Sequence, residues 1–229
     1  MKVNYFGREL ILDDRTAMYG GSFNYDLSVY EVEKVQYILD HLSKIENPVL
    51  IDVGASTGSY SLLPTVLQNL NVHSFEPSKS FEVLKENILS NGIDGKVVLN
   101  NMAVSEIKGR ELFYEVVSNN DSCLALSMLG GRPASHKRVR EIMVEVISLD
   151  DYCVKIKADV IKIDVEGNEL NVLKGAIKTI ERDKPLIVFE KSIENISQYG
   201  YDPKQLTDLL EEIGYKCKEL DGEIIATHN

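Results

Sequence analysis

Val49-Leu50-Ile51-Asp52-Val53-Gly54-Ala55-Ser56-Thr57-Gly58 is the stretch whose reading decides the fold. An apolar run of strand length ends in a loop bounded by glycines. A helical pattern follows, and then Ser74-Phe75-Glu76-Pro77 closes a second apolar run with an acid. A strand, a loop where backbone can approach a ligand, and a carboxylate about 20 residues on outline a nucleotide site.

Outward from that unit the same alternation continues. Apolar residues at Leu27, Tyr30, Val32, Val35, Ile38, Leu39 and Leu42 predict an amphipathic helix over Tyr25–Ser43. A helix is expected over Ser59–Leu70, with Pro64 as an irregularity. His73–Glu76 and Lys96–Asn101 read as strands, with a helix between them over Ser78–Ser90 that ends at Asn91-Gly92. Glu111–Val117 and Ile142–Ile147 are β-rich and flank a polar loop, Ser118–Arg140. Val160–Asp164 and Leu186–Glu190 read as buried strands on either side of a helix over Glu169–Ile180. Asp202-Pro203 opens a helix through Ile213. Tyr215–Glu219 and Glu223–Thr227 can pair as a hairpin around Asp221-Gly222. Strands alternating with helices imply an α/β chain with a parallel sheet covered on both faces. Its ligands belong at the carboxyl ends of the strands. The loop after Val53, Glu76, the loop after Asn101 and Asp164 all fall there.

The 229 residues contain no repeat and no linker, so a single domain over 1–229 is expected, with an N-terminal arm and helix in 1–45. The net charge of −11 repels phosphate backbones and anionic membranes, so neither nucleic acid nor a membrane is expected as partner. No apolar run is long enough for a bilayer and no leader pattern opens the chain, so a cytoplasmic location is expected. Three scattered cysteines, Cys123, Cys153 and Cys217, suit neither a disulfide framework nor a zinc site. Arg132, His136, Lys137, Arg138 and Arg140 form a basic cluster against this acidic background.

The loop Gly54-x-x-x-Gly58 is neither the Gly-x-Gly-x-x-Gly of dinucleotide enzymes nor a phosphate-cradling Gly-Lys-Ser/Thr loop. It suits an adenosine without a phosphate chain. A tight strand-to-helix turn with no ligand is the plain alternative.

The motifs resemble those of the FkbM-type family of class I S-adenosylmethionine-dependent methyltransferases. The resemblance rests on Asp52-Val53-Gly54-Ala55-Ser56-Thr57-Gly58, on Phe75-Glu76-Pro77, on Phe81-x-x-Leu84-x-x-Asn87 and on Asn101-Met102-Ala103-Val104-Ser105. It continues through Ser148-Leu149-Asp150-Asp151-Tyr152, Ile161-Lys162-Ile163-Asp164-Val165-Glu166-Gly167 and Lys184-Pro185-Leu186-Ile187-Val188-Phe189-Glu190. It implies a Rossmann-like, doubly wound, mostly parallel seven-stranded sheet with an antiparallel edge strand. It implies S-adenosylmethionine as cofactor, held by Asp52, Gly54, Ala55, Ser56, Gly58, Glu76, Pro77, Asn101, Met102, Ala103 and Asp164. Glu31 falls where the family carries an acid on the cofactor side. Oxygen as the accepting atom, on a sugar or other small metabolite, also comes from the resemblance. Lys191-Ser192 stand where the family often has a histidine after the acid matching Glu190.

Transfer to a hydroxyl needs a positioned base. The candidates are Asp164, Glu166 and Glu190, with Asp164 first because it closes a buried strand. Glu169 at a helix start suits the helix dipole instead. His136 in the polar loop is a further candidate for chemistry near neutral pH. No metal-ligand spacing is present, and a divalent cation held by these acids is the less favoured alternative. Arg132, Arg138 and Arg140 are expected to steer an anionic or carrier-linked acceptor. Self-association into a homo-oligomer is left open. Two rival functions stand beside this reading, a nicotinamide oxidoreductase and a non-catalytic cofactor-binding module.

Overall fold

The computed structural model describes residues 1–16, 31–116, 127–131, 139–220 and 222–228. Along the chain these form β1 (Lys2–Tyr5), β2 (Arg8–Ile11), α1 (Val32–Leu42), β3 (Val49–Val53), β4 (Asn71–Phe75), α2 (Ser80–Ser90) and β5 (Val97–Asn100). Then come β6 (Ala103–Val104), β7 (Gly109–Val116), β8 (Met128–Leu129), β9 (Val139–Ile147), α3 (Leu149–Tyr152) and β10 (Val160–Ile163). The last elements are α4 (Glu169–Lys174), α5 (Ile177–Asp183), β11 (Leu186–Glu190), α6 (Ile193–Ser197), α7 (Lys204–Glu212), β12 (Tyr215–Leu220) and β13 (Glu223–His228).

Seven strands form the central sheet in the order β12-β13-β11-β10-β3-β4-β5. β11, β10, β3, β4 and β5 run parallel. β13 is antiparallel to both of its neighbours, β11 and β12. The antiparallel strand expected at the edge therefore lies one strand in from it.

The two-residue side-chain period sorts each strand between two cores. Leu50, Val72, Val160, Val188 and Ile225 point to one face, where Val35, Ile38 and Leu42 of α1 and Leu84 and Ile88 of α2 cover them. Ile51, Val53, Ile161, Ile163, Ile187 and Phe189 point to the other, under Leu170, Leu173, Ile180, Leu206 and Leu210. Burial on both faces explains why these strands read as continuous apolar runs.

Beside the main sheet, β6-β9-β7-β8 form a second, four-stranded sheet. Met128–Leu129 and the start of β9 were expected within the polar loop but are strand. Residues 118–126 and 132–138 of that loop, with Arg132, His136, Lys137, Arg138 and Cys123, lie outside the described residues. So does the stretch 25–30 at the start of the expected first helix.

Two helices differ from expectation. Over 59–70 there is a single tight turn, Leu63–Thr65, rather than an α-helix. Pro64 has no N–H, and the Tyr60 carbonyl instead accepts from Leu63 N at 3.1 Å. The helix expected over 169–180 is broken between α4 and α5. The Asp150 carboxylate accepts from Thr179 N at 2.8 Å and Lys178 N at 3.2 Å, which starts α5 afresh.

Candidate active site

A cavity of about 420 Å³ opens at the carboxyl ends of β3, β4 and β10, reaching Glu190 at the end of β11. This is within the range of roughly 300–1,000 Å³ found for small-molecule sites. The loop after β3 forms its floor. Gly54 has φ +80°, and a Cβ there would lie 1.8 Å from the Asp164 carbonyl oxygen. Gly58 has φ +106°, and its Cβ would strike Leu84 Cδ1 at 2.7 Å. The glycine spacing is thus set by two protein neighbours, the end of β10 and the face of α2. Gly54 lines the cavity and Gly58 does not.

Gly54 N and Ala55 N both donate to the Phe75 carbonyl, at 3.0 and 2.9 Å. Ser56 N donates to Glu76 Oε2 at 2.9 Å, and Ser78 N to Glu76 Oε1 at 2.8 Å. The acid after β4 is thereby fixed beside the loop after β3. Burial pushes the Glu76 pKa up, against the lowering by the Ser78 and Ser56 N–H groups. Each carboxylate oxygen keeps lone-pair capacity for a ligand hydroxyl. Ala55, Ser56, Pro77, Met102 and Ala103 line the same cavity.

Asp52 and Asn101 do not line it. Asp52 is fully buried under the loop, where its Oδ2 accepts from Ser61 Oγ at 2.6 Å. Asn101 Nδ2 donates to the Glu76 carbonyl at 2.8 Å, so it holds the backbone from behind.

The opposite wall is acidic. Carboxylate oxygens of Asp164, Glu166 and Glu190 all lie within 4.8 Å of one another, a spacing that can hold a metal ion. Asp164 Oδ2 is 3.0 Å from Lys162 Nζ. Glu166 Oε2 accepts from Asn195 Nδ2 at 2.5 Å. The Glu190 carboxylate has no hydrogen bond or ion pair among the described residues. Burial first, then Asp164 and Glu190, raise the Glu166 pKa to about 9. Burial, then Asp164, Glu169 and Glu223, raise Glu190 to about 7. Glu169 does not line the cavity. Its Oε1 accepts from Gly167 N at 3.0 Å and Val165 N at 3.2 Å, which ties the turn into α4.

Lys34, Tyr60, Lys162 and Glu223 line the cavity but were not read from the sequence as site residues. Lys162 is 3% exposed and lies between Asp52 and Asp164, its Nζ 4.9 Å from the Tyr60 ring centroid. Burial pulls its pKa down, but Asp164, Asp52, Glu223 and Glu31 outweigh that and hold it well above lysine's usual range. Lys34 bridges Glu223 at 2.8 Å and Glu31 at 3.0 Å, and Tyr60 donates to Glu31 Oε2 at 2.5 Å. The signals were available: a lone charge inside Val160-Ile161-Lys162-Ile163, and Lys34 among the apolar positions of its helix.

Arg140, expected to meet the acceptor, lies outside the cavity. Its guanidinium pairs with the buried Glu115, whose Oε1 accepts from Lys79 N at 2.9 Å. Glu31, Ser56 and Glu166 line the cavity with φ of 51°, 49° and 57°. Left-handed backbone at such residues costs roughly 1–3 kcal/mol each and gathers where a site over-determines it.

Residues 52–217 match the methyltransferase FkbM domain family. The chain is similar to the hexuronic acid methyltransferase AglP of Haloferax volcanii, with 31% identity over 178 residues, covering 73% of this chain and 63% of that protein. Among solved structures it resembles methyltransferase FkbM from Methylobacillus flagellatus KT, with TM-score 0.53 and 18% identity, covering 80% of this chain and 44% of that one. It also resembles precorrin 8w decarboxylase from Methanobacterium thermoautotrophicum, with TM-score 0.51 and 12% identity, covering 96% and 100% of the two chains. At such identities the solved structures establish the fold, which is that of class I methyltransferases.

Proposed function

The chain belongs to the FkbM methyltransferase family, and from that membership we propose that it moves the methyl group of S-adenosylmethionine to a hydroxyl oxygen of a sugar. The observation that carries the reading is the anchored Glu76 carboxylate beside the loop after β3, in a cavity lined, among the described residues, by six acids and two lysines. Both lysines are already paired. Such a lining suits a ligand with a positive sulfonium and repels the diphosphate of a nicotinamide cofactor.

When bound, S-adenosylmethionine supplies a methyl group on a sulfonium whose leaving group is a neutral thioether. Glu76 accepts from the ribose hydroxyls, and Met102 and Ala103 offer apolar contact to the adenine. On the acceptor side the acids orient hydroxyls. Asp164 Oδ2 is paired with Lys162 Nζ at 3.0 Å, which fixes the carboxylate in place as a positioner. The Glu190 carboxylate has no hydrogen bond or ion pair among the described residues, and its pKa of about 7 matches a base for neutral pH. Glu190 takes the hydroxyl proton as the new C–O bond forms. The sugar class is supported by the name of the Haloferax relative. An anionic or carrier-linked acceptor would depend on Arg132, Lys137 and Arg138.

The test is incubation with methyl-labelled S-adenosylmethionine and a panel of neutral sugars, uronic acids and nucleotide sugars, with products identified by mass. Label is expected on oxygen of one sugar class. Absence of any binding of S-adenosylhomocysteine by calorimetry would overturn the reading.

A further inference from the structure

We propose that Asp164, Glu166 and Glu190 form a binding site for a hard divalent cation, such as Mg²⁺, Mn²⁺ or Ca²⁺, beside the acceptor position of the cavity. The inference rests on the methyltransferase reading only for what the cation does there, not for its being bound.

Three carboxylates offer oxygens within 4.8 Å of one another. That spacing matches oxygens around one ion at about 2.0–2.6 Å. Two of the three are already held by one oxygen, Asp164 Oδ2 by Lys162 and Glu166 Oε2 by Asn195. Asp164 Oδ1, Glu166 Oε1 and both oxygens of Glu190 remain. Partners that orient ligands from behind are what metal sites use to fix geometry.

A second observation comes from a different strand. Glu223 is directly opposite Glu190 in the β11–β13 register, so the two side chains share a face. Glu223 is 4% exposed and lines the same cavity. Its Oε1 is taken by Lys34, while Oε2 is buried with no hydrogen-bond partner among the described residues. A buried carboxylate oxygen without a donor is costly. A cation or its bound water supplies the missing partner. Among the described residues the donor set is all oxygen, with no sulfur or imidazole, which selects hard cations over zinc or copper.

In the transfer reaction the cation coordinates the acceptor oxygen and lowers its pKa. The proton passes to the oxygen of Glu190 that does not ligate the ion. The C–O bond forms as the sulfonium C–S bond breaks, and the thioether departs neutral.

The experiment uses the full chain stripped with EDTA and titrated with MgCl₂, MnCl₂ and CaCl₂ by calorimetry, and with Mn²⁺ by electron paramagnetic resonance. One saturable site per chain is expected. Glu190→Gln and Asp164→Asn should each weaken it at least tenfold, the scale on which disturbing a metal site is felt. Glu9→Gln, an exposed partner of Lys2 in the first hairpin, should leave it unchanged. S-adenosylhomocysteine binding is measured on every preparation, and a cooperative urea melt of each variant shows that it is folded. No saturable binding at millimolar cation, or undiminished binding in both Glu190→Gln and Asp164→Asn, overturns the cation site. Cation binding without any S-adenosylhomocysteine binding leaves the site standing and removes the proposed function.

Discussion

Glu76→Gln isolates the carboxylate that ties the two halves of the cavity floor together. Gln preserves the length of the side chain and replaces one oxygen by an NH₂ group. Both oxygens of Glu76 accept backbone N–H groups, from Ser56 at 2.9 Å and Ser78 at 2.8 Å. Whichever way the amide turns, its NH₂ faces one of those donors. One bond is lost and a buried donor is orphaned, at a cost of about 1–3 kcal/mol. In a chain of this size that lowers Tm by about 2–4 °C per kcal/mol. Ligand binding loses a further share, because bonds from hydroxyls to a charged acceptor become bonds to a neutral one. That difference is about 1–2 kcal/mol, or roughly 5- to 30-fold in Kd. Urea melts of the free protein read the first cost, and calorimetry with S-adenosylhomocysteine reads the second. An unchanged Kd in a variant whose melt has shifted would show that Glu76 anchors the loop without touching the ligand. An unchanged melt would refute the hydrogen-bond geometry itself.

Three other outcomes follow from the structure. Glu169 is 1% exposed, and its pKa is raised from 4.5 to about 7, chiefly by burial. The native state then holds the proton more tightly than the unfolded chain. Stability is full below about pH 4.5 and falls by about 3 kcal/mol as pH rises to about 7 and above. Glu169→Gln should flatten that slope in urea melts between pH 5 and 8, and an identical slope would refute the assignment. Lys162→Met removes the ammonium between Asp52 and Asp164 and should cost about 3–5 kcal/mol, as for one half of a buried pair; a loss below about 1 kcal/mol by urea melt would refute it. Gly54→Ala combines φ +80° with a Cβ 1.8 Å from the Asp164 carbonyl oxygen. It should lower Tm and abolish S-adenosylhomocysteine binding, whereas Gly7→Ala, which has open space around its Cβ, should leave binding intact.

Much of this architecture was legible from local pattern. The alternation of Leu50, Ile51 and Val53, and of Val160, Ile161 and Ile163, announces strands buried on both faces, because side chains alternate whatever the strand pairs with. That the acid after β4 lies beside the loop after β3 was readable because both follow adjacent parallel strands at the same end of the sheet. Asp52, Gly58 and Asn101 were assigned to the ligand because a motif gives spacing without direction. Asp52 points under the loop toward Ser61, and Gly58 answers to Leu84.

A chain's local periodicity states which residues share a face, and that determined the α/β class, the strand ends and the position of the floor. It does not state which faces meet. Only the tertiary structure placed β13 between β11 and β12, and with it Glu223 opposite Glu190. It also brought Asp164, Glu166 and Glu190 within 4.8 Å of one another from two separate strand ends. Lys34 from α1 pairs with Glu31 and Glu223, and Lys162 from β10 pairs with Asp164, because α1 covers that face of the sheet. Charge–charge energies depend on distance and burial, quantities that exist only once distant segments are packed together.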